Sequence, residues 1–229
     1  MAETDRLEPV APEGLRLTVN IRHRVGALAI AADFQLTKPW TVLFGPSGSG
    51  KSTILRVIAG LIPQDARDIE PRSRRIPLAP QSPSLFPHWN VSDNLTMRRV
   101  RSPAEIEEIL SLFRLGHLQH KLPRALSGGE AQRVNVARAM AWAARGGLLL
   151  LDEPFAGMDT ALRDEILPEM RTWLAKRDVS ILSVTHDVAE AFQLAAEVIK
   201  IADGKVIAQG PVEIVLSEER QRLLNQLHG

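Results

Sequence analysis

The most pointed chemistry in the sequence lies in FGPSGSGKSTIL, Phe44 to Leu55. Gly45, Gly50, Lys51 and Ser52 fill the pattern G-x-x-x-x-G-K-[ST], with Pro46, Ser47, Gly48 and Ser49 between them and Thr53 following. Glycines at these places let the backbone wrap closely, so that loop N–H groups and the start of the next helix face an anion. Lys51 adds a mobile positive charge, Ser52 is a hydroxyl suited to magnesium, and Thr53 points a second hydroxyl toward an inner phosphate. The pattern carries weight only between a buried strand and a helix. WTVLF at 40–44 is a continuous apolar run, and Ile54, Leu55, Ile58 and Leu61 recur at helical spacing, so its flanks predict that context. The plain alternative is a glycine-rich turn with no ligand.

A bound nucleoside triphosphate also needs its metal held from the far side. LLLLDE at 148–153 offers this: Asp152, at the carboxyl end of a buried strand expected beside the P-loop strand, would hold Mg2+ directly or through water. Glu153 would orient or deprotonate the attacking water. A third motif, LSGGEAQR at 126–133, opens a helix with Ser127, Gly128 and Gly129. It forms a second anion-binding helix start in a chain with one P-loop. Either motif alone is also what an ordinary capped strand or helix would look like.

These groups need a scaffold. LRLTVNIR (15–22) and LAIAADFQL (28–36) alternate, placing Leu15, Leu17, Val19, Ile21 and then Leu28, Ile30, Ala32, Phe34, Leu36 on one face of an antiparallel hairpin. The Pro-, Arg- and Ser-rich stretch from Pro63 to Trp89 reads as loop with at most one short strand near Ile76. Ser102, Pro103 and Glu105 predict a capped helix to about Leu115, stopped by Gly116. A helix after SGGE runs to Gly146 and Gly147, and a later one over 159–177 is expected to kink at Pro168. Strands at 180–186 and 198–202 flanking a helix from Asp187, a hairpin turn at ADGK (202–205) leading into a strand at 205–210, and an amphipathic tail from Glu218 complete the pattern. The fold class is α/β, a mainly parallel sheet with an antiparallel amino-terminal hairpin at one edge.

Composition narrows the partners. The 229 residues allow one well-buried core, and a net charge of +1 leaves no electrostatic footprint for nucleic acid. There is no cysteine, which excludes disulfides and thiolate metal sites. The opening MAETDRLEPVAPEG has no apolar run, and no run elsewhere approaches a bilayer span, so a membrane role would come through another chain.

The order and spacing of the P-loop at 45–53, Gln81, LSGGE at 126–130, LLLLDE at 148–153, Asp159 and His186 resemble ATP-binding cassette (ABC) ATPases, from about residue 15 to 215. The resemblance implies a P-loop NTPase fold in a single ABC domain. Its core would take about 15–80 and 147–215, a helical signature subdomain about 82–146, and a carboxyl-terminal helix about 216–229. It implies ATP and Mg2+, with two copies pairing head to tail so that Ser127, Gly128 and Gly129 of one meet the γ-phosphate held by Lys51 of the other. Gln81 would touch magnesium and the attacking water, Asp159 would cross the dimer interface, and His186 would bond the γ-phosphate and support Glu153.

The sequence also departs from the family. ABC ATPases stack adenine on an aromatic in the amino-terminal hairpin, yet there is no tyrosine and no Phe or Trp before Phe34; His23, among Arg22 to Val25, falls nearest that position. FAGMD stands where Ser-Ala-Leu-Asp is commoner, and the short 61–81 segment suggests a trimmed antiparallel region.

SPSLFPHW after Gln81 resembles importer ATPases, where this loop faces a coupling helix of transmembrane permease subunits; Leu85, Phe86 and Trp89 would either dock there or pack on the helical subdomain. EILPEMRTWL and NIRHRVGALAI most resemble the molybdate importers. Those relatives often add a carboxyl-terminal regulatory domain, for which a chain ending at Gly229 leaves no room. The expectation is an energy-coupling subunit peripheral to the cytoplasmic face of the inner membrane, with a periplasmic or surface binding protein as an indirect partner. The alternatives are a soluble cassette ATPase without a membrane partner and an importer ATPase for sulfate, iron or polyamine.

Overall fold

Among the described residues, nine strands form one mixed sheet. The computed structural model describes residues 17–62, 66–69, 76–96, 102–143, 147–195 and 197–227. Leu15 of the expected hairpin and the Gly146 stop lie outside these residues.

The hairpin forms as its alternation requires. β1 (Leu17–Val25) and β2 (Leu28–Leu36) pair antiparallel from Leu17↔Leu36 to Val25↔Leu28. Leu17, Val19, Ile21, Ile30, Ala32, Phe34 and Leu36 are buried together. β3 (Trp40–Phe44) is buried at every position, because parallel neighbours flank it and side chains cover both faces. α1 (Lys51–Ile58) follows the P-loop and ends earlier than its periodicity suggested, leaving Leu61 66% exposed.

Two strands occupy the stretch expected to hold one at most. β4 (Ala66–Ile69) pairs antiparallel with β1 at the sheet edge, and β5 (Leu78–Ala79) pairs parallel with β6. Neither has readable alternation; their partners' open backbone edges supply what local pattern does not. α2 (Val91–Thr96), also unpredicted, precedes α3 (Pro103–Leu112), whose Ser102–Glu105 capping box is formed. α3 stops short of Leu115 because Arg114, not Gly116, takes the left-handed position at φ 56°. The N–H of Leu115 then reaches the Leu110 carbonyl at 2.7 Å, and that of Arg114 reaches Ser111 at 3.0 Å, a Schellman closure.

α4 (Gly128–Ala143) leads to β6 (Gly147–Asp152), α5 (Thr160–Ala175), which runs through Pro168, and β7 (Val179–Thr185). α6 (Val188–Leu194), β8 (Glu197–Ala202), β9 (Lys205–Gly210), α7 (Val212–Val215) and α8 (Ser217–Leu227) complete the described residues, and the sheet order is β4-β1-β2-β9-β8-β3-β7-β6-β5. One expectation about neighbours is corrected: β6 does not lie beside β3, since β7 pairs with both and stands between them. The two apolar clusters lie on opposite sheet faces. One packs α2 to α6 over Trp40, Val42, Leu149 and Leu151; the other packs α1 and the hairpin over Leu43, Leu150 and Leu182.

Candidate functional site

Parallel strands aim their carboxyl ends at one edge, and β3, β5, β6 and β7 all finish there. Each is followed by a residue singled out in the sequence: Gly45 after β3, Gln81 shortly after β5, Asp152 and Glu153 at the end of β6, His186 after β7.

The P-loop is shaped by contacts only glycine allows. A Cβ at Gly45 would sit 2.2 Å from the Ile201 carbonyl oxygen, and Gly50, at φ 99°, packs under Ile30 and Leu28 of the hairpin. A less obvious support is the β8–β9 turn, where Asp203 and Gly204 both take positive φ. The Gly204 N–H donates to the Ser49 carbonyl at 3.1 Å, and its carbonyl accepts from Ala31 N–H at 2.8 Å, tying loop to hairpin.

Lys51 is 6% exposed, and its Nζ donates to the carbonyls of Gly45 and Pro46, both at 2.7 Å. Burial holds its ammonium below the usual lysine range, while the charges of Glu153 and Asp152 oppose that shift. The Ser52 hydroxyl donates to Asp152 Oδ1 at 3.0 Å across the sheet. Asp152 is 2% exposed; burial pushes its carboxyl up, partly offset by the Ser52 bond. The Ser52 hydroxyl, the Asp152 carboxylate and the Gln81 amide are hard oxygen donors of the kind magnesium takes. No group of three or more His, Cys, Asp or Glu side chains suited to a metal occurs among the described residues.

Glu153 is the junction of the site. Its Oε2 accepts from Gln81 Nε2 at 2.8 Å and its Oε1 lies 2.8 Å from His186 Nδ1. A carboxylate only accepts, so this tautomer carries its proton on Nδ1. Glu153 also has φ 47°, a strained value for a side chain of this size, costing about 1–3 kcal/mol. The conformation is held by its N–H to Val184 O at 3.1 Å and by Gln132 Nε2, which donates to its carbonyl at 3.3 Å.

Ser127, Gly128 and Gly129 stand apart from this network. Ser127 caps α4 in a reciprocal box with Glu130, its Oγ accepting from Glu130 N–H at 3.3 Å and its N–H reaching Oε2 at 2.7 Å. Among the described residues, their hydrogen bonds do not run to the P-loop. A Cβ on Gly129 would lie 3.3 Å from the Gly157 carbonyl, so this helix start abuts the turn after β6. Asp159 caps α5, accepting from Leu162 N–H at 3.1 Å. His23 lies opposite Ile30, on the face Ile30 turns to Gly50, and its Nδ1 is buried without a hydrogen-bond partner.

Three amides were missed by sequence reasoning. Besides Gln132, Asn135 Nδ2 donates to Pro80 O at 2.8 Å, just before Gln81. Asn94, fully buried, accepts from Phe86 N–H at 2.9 Å and donates to the carbonyls of Phe86, Trp89 and Asn90. The available signal was an amide recurring at a buried helical position. The loop they organise divides its apolar residues: Leu85 packs inward, while Phe86 is 40% exposed, 4.6 Å from the Trp89 ring and beneath the Arg138 guanidinium. No helix among the described residues is long and apolar enough to cross a membrane.

The sequence profile of the ABC transporter family matches residues 33–156. The molybdenum import ATP-binding protein ModC of Mesorhizobium japonicum is 40% identical over 223 residues, spanning 88% of this chain and 60% of its own length. The molybdate/tungstate import ATP-binding protein WtpC of Archaeoglobus fulgidus is 35% identical over 216 residues, spanning 88% of this chain and 89% of its own. The chain thus covers about three fifths of the ModC relative and most of the WtpC relative. A solved ATP-binding subunit of an ABC transporter superposes with a TM-score of 0.76 at 25% identity, over 93% of this chain and 98% of that one. A dimeric ATP-binding cassette in a post-hydrolysis state with ADP and Pi, at TM-score 0.72 and 23% identity, covers 86% of this chain and 98% of its own, and shares the fold. With a family profile over more than half its residues and a relative matched almost end to end, this chain belongs to the ABC transporter family of ATP-binding proteins.

Proposed function

We propose that the chain is a magnesium-dependent ATPase that powers an ABC importer for a small oxyanion, molybdate in the first place. The observation that carries the ATPase reading is the convergence of Ser52–Asp152 and Gln81–Glu153–His186 beside the P-loop lysine. The P-loop amides and Lys51 would bind the phosphates, with Thr53 turned to an inner one. Glu153 takes the proton of the attacking water as its oxygen bonds to the γ-phosphorus and the bond to the β-phosphate bridge breaks. Gln81 and His186 hold the two Glu153 oxygens, and His186 then faces the γ-phosphate. Ser52, Asp152 and Gln81 would hold Mg2+, which supplies charge neutralisation on the β- and γ-phosphate oxygens.

The exposed start of α4 supports a head-to-tail dimer. Ser127, Gly128 and Gly129 of a second copy would close over the γ-phosphate, with Asp159 at the seam and His23 beside the base. The names of the relatives support molybdate as cargo, carried by transmembrane permease subunits and delivered by a binding protein outside. Phe86 and Trp89 form the docking edge toward the permease, and the chain would sit on the cytoplasmic membrane face.

The test is phosphate release by the purified chain with and without EDTA, followed by molybdate uptake in vesicles carrying the permease. Chelator-sensitive release that vanishes in Glu153→Gln, and uptake lost in Phe86→Ala while release persists, are the expected results. Release indifferent to chelator and to Glu153 would overturn the ATPase assignment, and unchanged uptake in Phe86→Ala would remove that docking edge.

A further inference from the structure

Gln81 poses a mechanical problem. Its amide donates to Glu153 Oε2 at 2.8 Å, yet the residue is exposed and lies in a stretch with neither helix nor strand. Among the described residues, no backbone–backbone hydrogen bond runs to or from residues 81–85. Neither packing nor a ladder therefore sets the direction of the Gln81 side chain.

What holds the stretch comes from α4. Asn135 Nδ2 donates to the Pro80 carbonyl at 2.8 Å, and Arg138 Nη1 donates to the Ser84 carbonyl at 2.8 Å, so one helix grips the backbone on both sides of Gln81. The Pro80 carbonyl lies in the peptide plane that ends at the Gln81 Cα, and fixing that plane fixes where the Gln81 side chain leaves the backbone. Arg138 Nη2 also donates to Asn135 Oδ1 at 3.3 Å. A guanidinium only donates, so the Asn135 oxygen faces Arg138 and its NH2 group faces Pro80.

The same helix holds the far end of the Gln81–Glu153 bond. Gln132, three residues before Asn135 and so on the same helix face, donates to the Glu153 carbonyl at 3.3 Å. A ring results: from α4 through Asn135 to Pro80 and Gln81, across to the Glu153 carboxylate, and back from the Glu153 carbonyl through Gln132 to α4. The helix is a firm frame, because Val134, Val136, Ala137 and Met140 are fully buried beside these amides. Asn135 is itself 0% exposed, a place where an amide is unfavourable unless its hydrogen bonds are made.

We infer that Asn135 is a positioning residue for Gln81: from α4 it sets the Pro80–Gln81 peptide so that the Gln81 amide meets the Glu153 carboxylate. The inference rests on the hydrolytic reading above, in which Gln81 orients Glu153, and adds a residue to it. An amide that only stabilised the loop would not act through Gln81.

The test uses the full chain labelled with 15N at its glutamine side chains, the Gln81 signal being identified by its loss in Gln81→Ala. Asn135→Leu should move that signal toward the position of a free amide and lower kcat about tenfold, with KM for ATP within about twofold. Combined with Gln81→Ala, it should lower kcat no further than Gln81→Ala alone, since nothing is left to position. A wild-type Gln81 resonance or a wild-type kcat in Asn135→Leu would overturn the inference, as would a further loss of kcat in the double variant. Should Asn135→Leu fail to fold, Asn135→Asp, which keeps the shape and sets a carboxylate that only accepts against the Pro80 carbonyl, decides by the same readouts. Absent hydrolysis in the wild-type chain would remove the ATPase reading alone, because the resonance still decides the positioning role.

Discussion

His186 Nδ1 and Glu153 Oε1 lie 2.8 Å apart although 33 residues separate them, with Gln81 Nε2 equally close to the other Glu153 oxygen. Both carboxylate oxygens are thus oriented by donors from different strand ends, on a residue whose backbone is itself held at φ 47°. In the general-base role proposed for Glu153, a carboxylate prepared this way needs little rearrangement when its proton arrives.

Glu153→Gln should keep the shape and the backbone contacts while losing the proton acceptor. ATP binding is expected within a few-fold of wild type, turnover is expected to fall by about 10²–10⁴, and dimer should accumulate with ATP. Steady-state phosphate release and analytical ultracentrifugation check this; an active Glu153→Gln that stays monomeric would contradict the role.

Lys51→Ala removes the buried ammonium that donates to Gly45 and Pro46 carbonyls at 2.7 Å. A charge-assisted hydrogen bond contributes about 1.5–3 kcal/mol, so nucleotide affinity should weaken roughly 10- to 150-fold. Direct calorimetric titration measures it, and wild-type affinity would rule out a phosphate contact for this lysine.

Asn94→Leu should destabilise the chain by about 2–4 kcal/mol, because it leaves the Phe86 N–H and three nearby carbonyls without the amide that binds them. Urea unfolding gives the number. A change below about 0.5 kcal/mol, the scale of a neutral surface substitution, would mean that water replaces the amide freely.

Stability should depend on pH through Glu190. An unfolded glutamate titrates near 4.5 and the buried carboxyl near 7, so between those values the native state keeps a proton that the unfolded chain has released. Native stability therefore falls as pH rises from about 4.5 to about 7, then levels off. Glu190→Gln lacks this loss, and its stability relative to wild type should rise by roughly 3 kcal/mol between pH 4.5 and pH 8. Urea unfolding across that range measures it; a difference independent of pH would show that the carboxyl is not shifted upward.

Much of the scaffold was legible because its causes are local. The hairpin alternation, the apolar run of β3, the Ser102–Glu105 box and the turn at Asp203–Gly204 each depend on neighbours within a few residues, and each formed at its expected place. The local signal failed where an element exists for its partner. β4 and β5 are strands because β1 and β6 present open edges, and α3 ends before Arg114 because that residue's left-handed backbone lets its own N–H close on the Ser111 carbonyl and the Leu115 N–H on the Leu110 carbonyl.

For the site, residue types and order along the chain determined the phosphate loop, the two acids and the histidine as its constituents, since glycine conformations, hydroxyls and carboxylates are chemistry a sequence displays directly. Only the tertiary structure decided how they meet. β7 stands between β3 and β6, Ser52 reaches Asp152 across that gap, and Gln132 turns out to hold the Glu153 backbone. The reason is physical: strand order and buried amide contacts come from the free energy of the whole packed sheet, which no short window of residues contains.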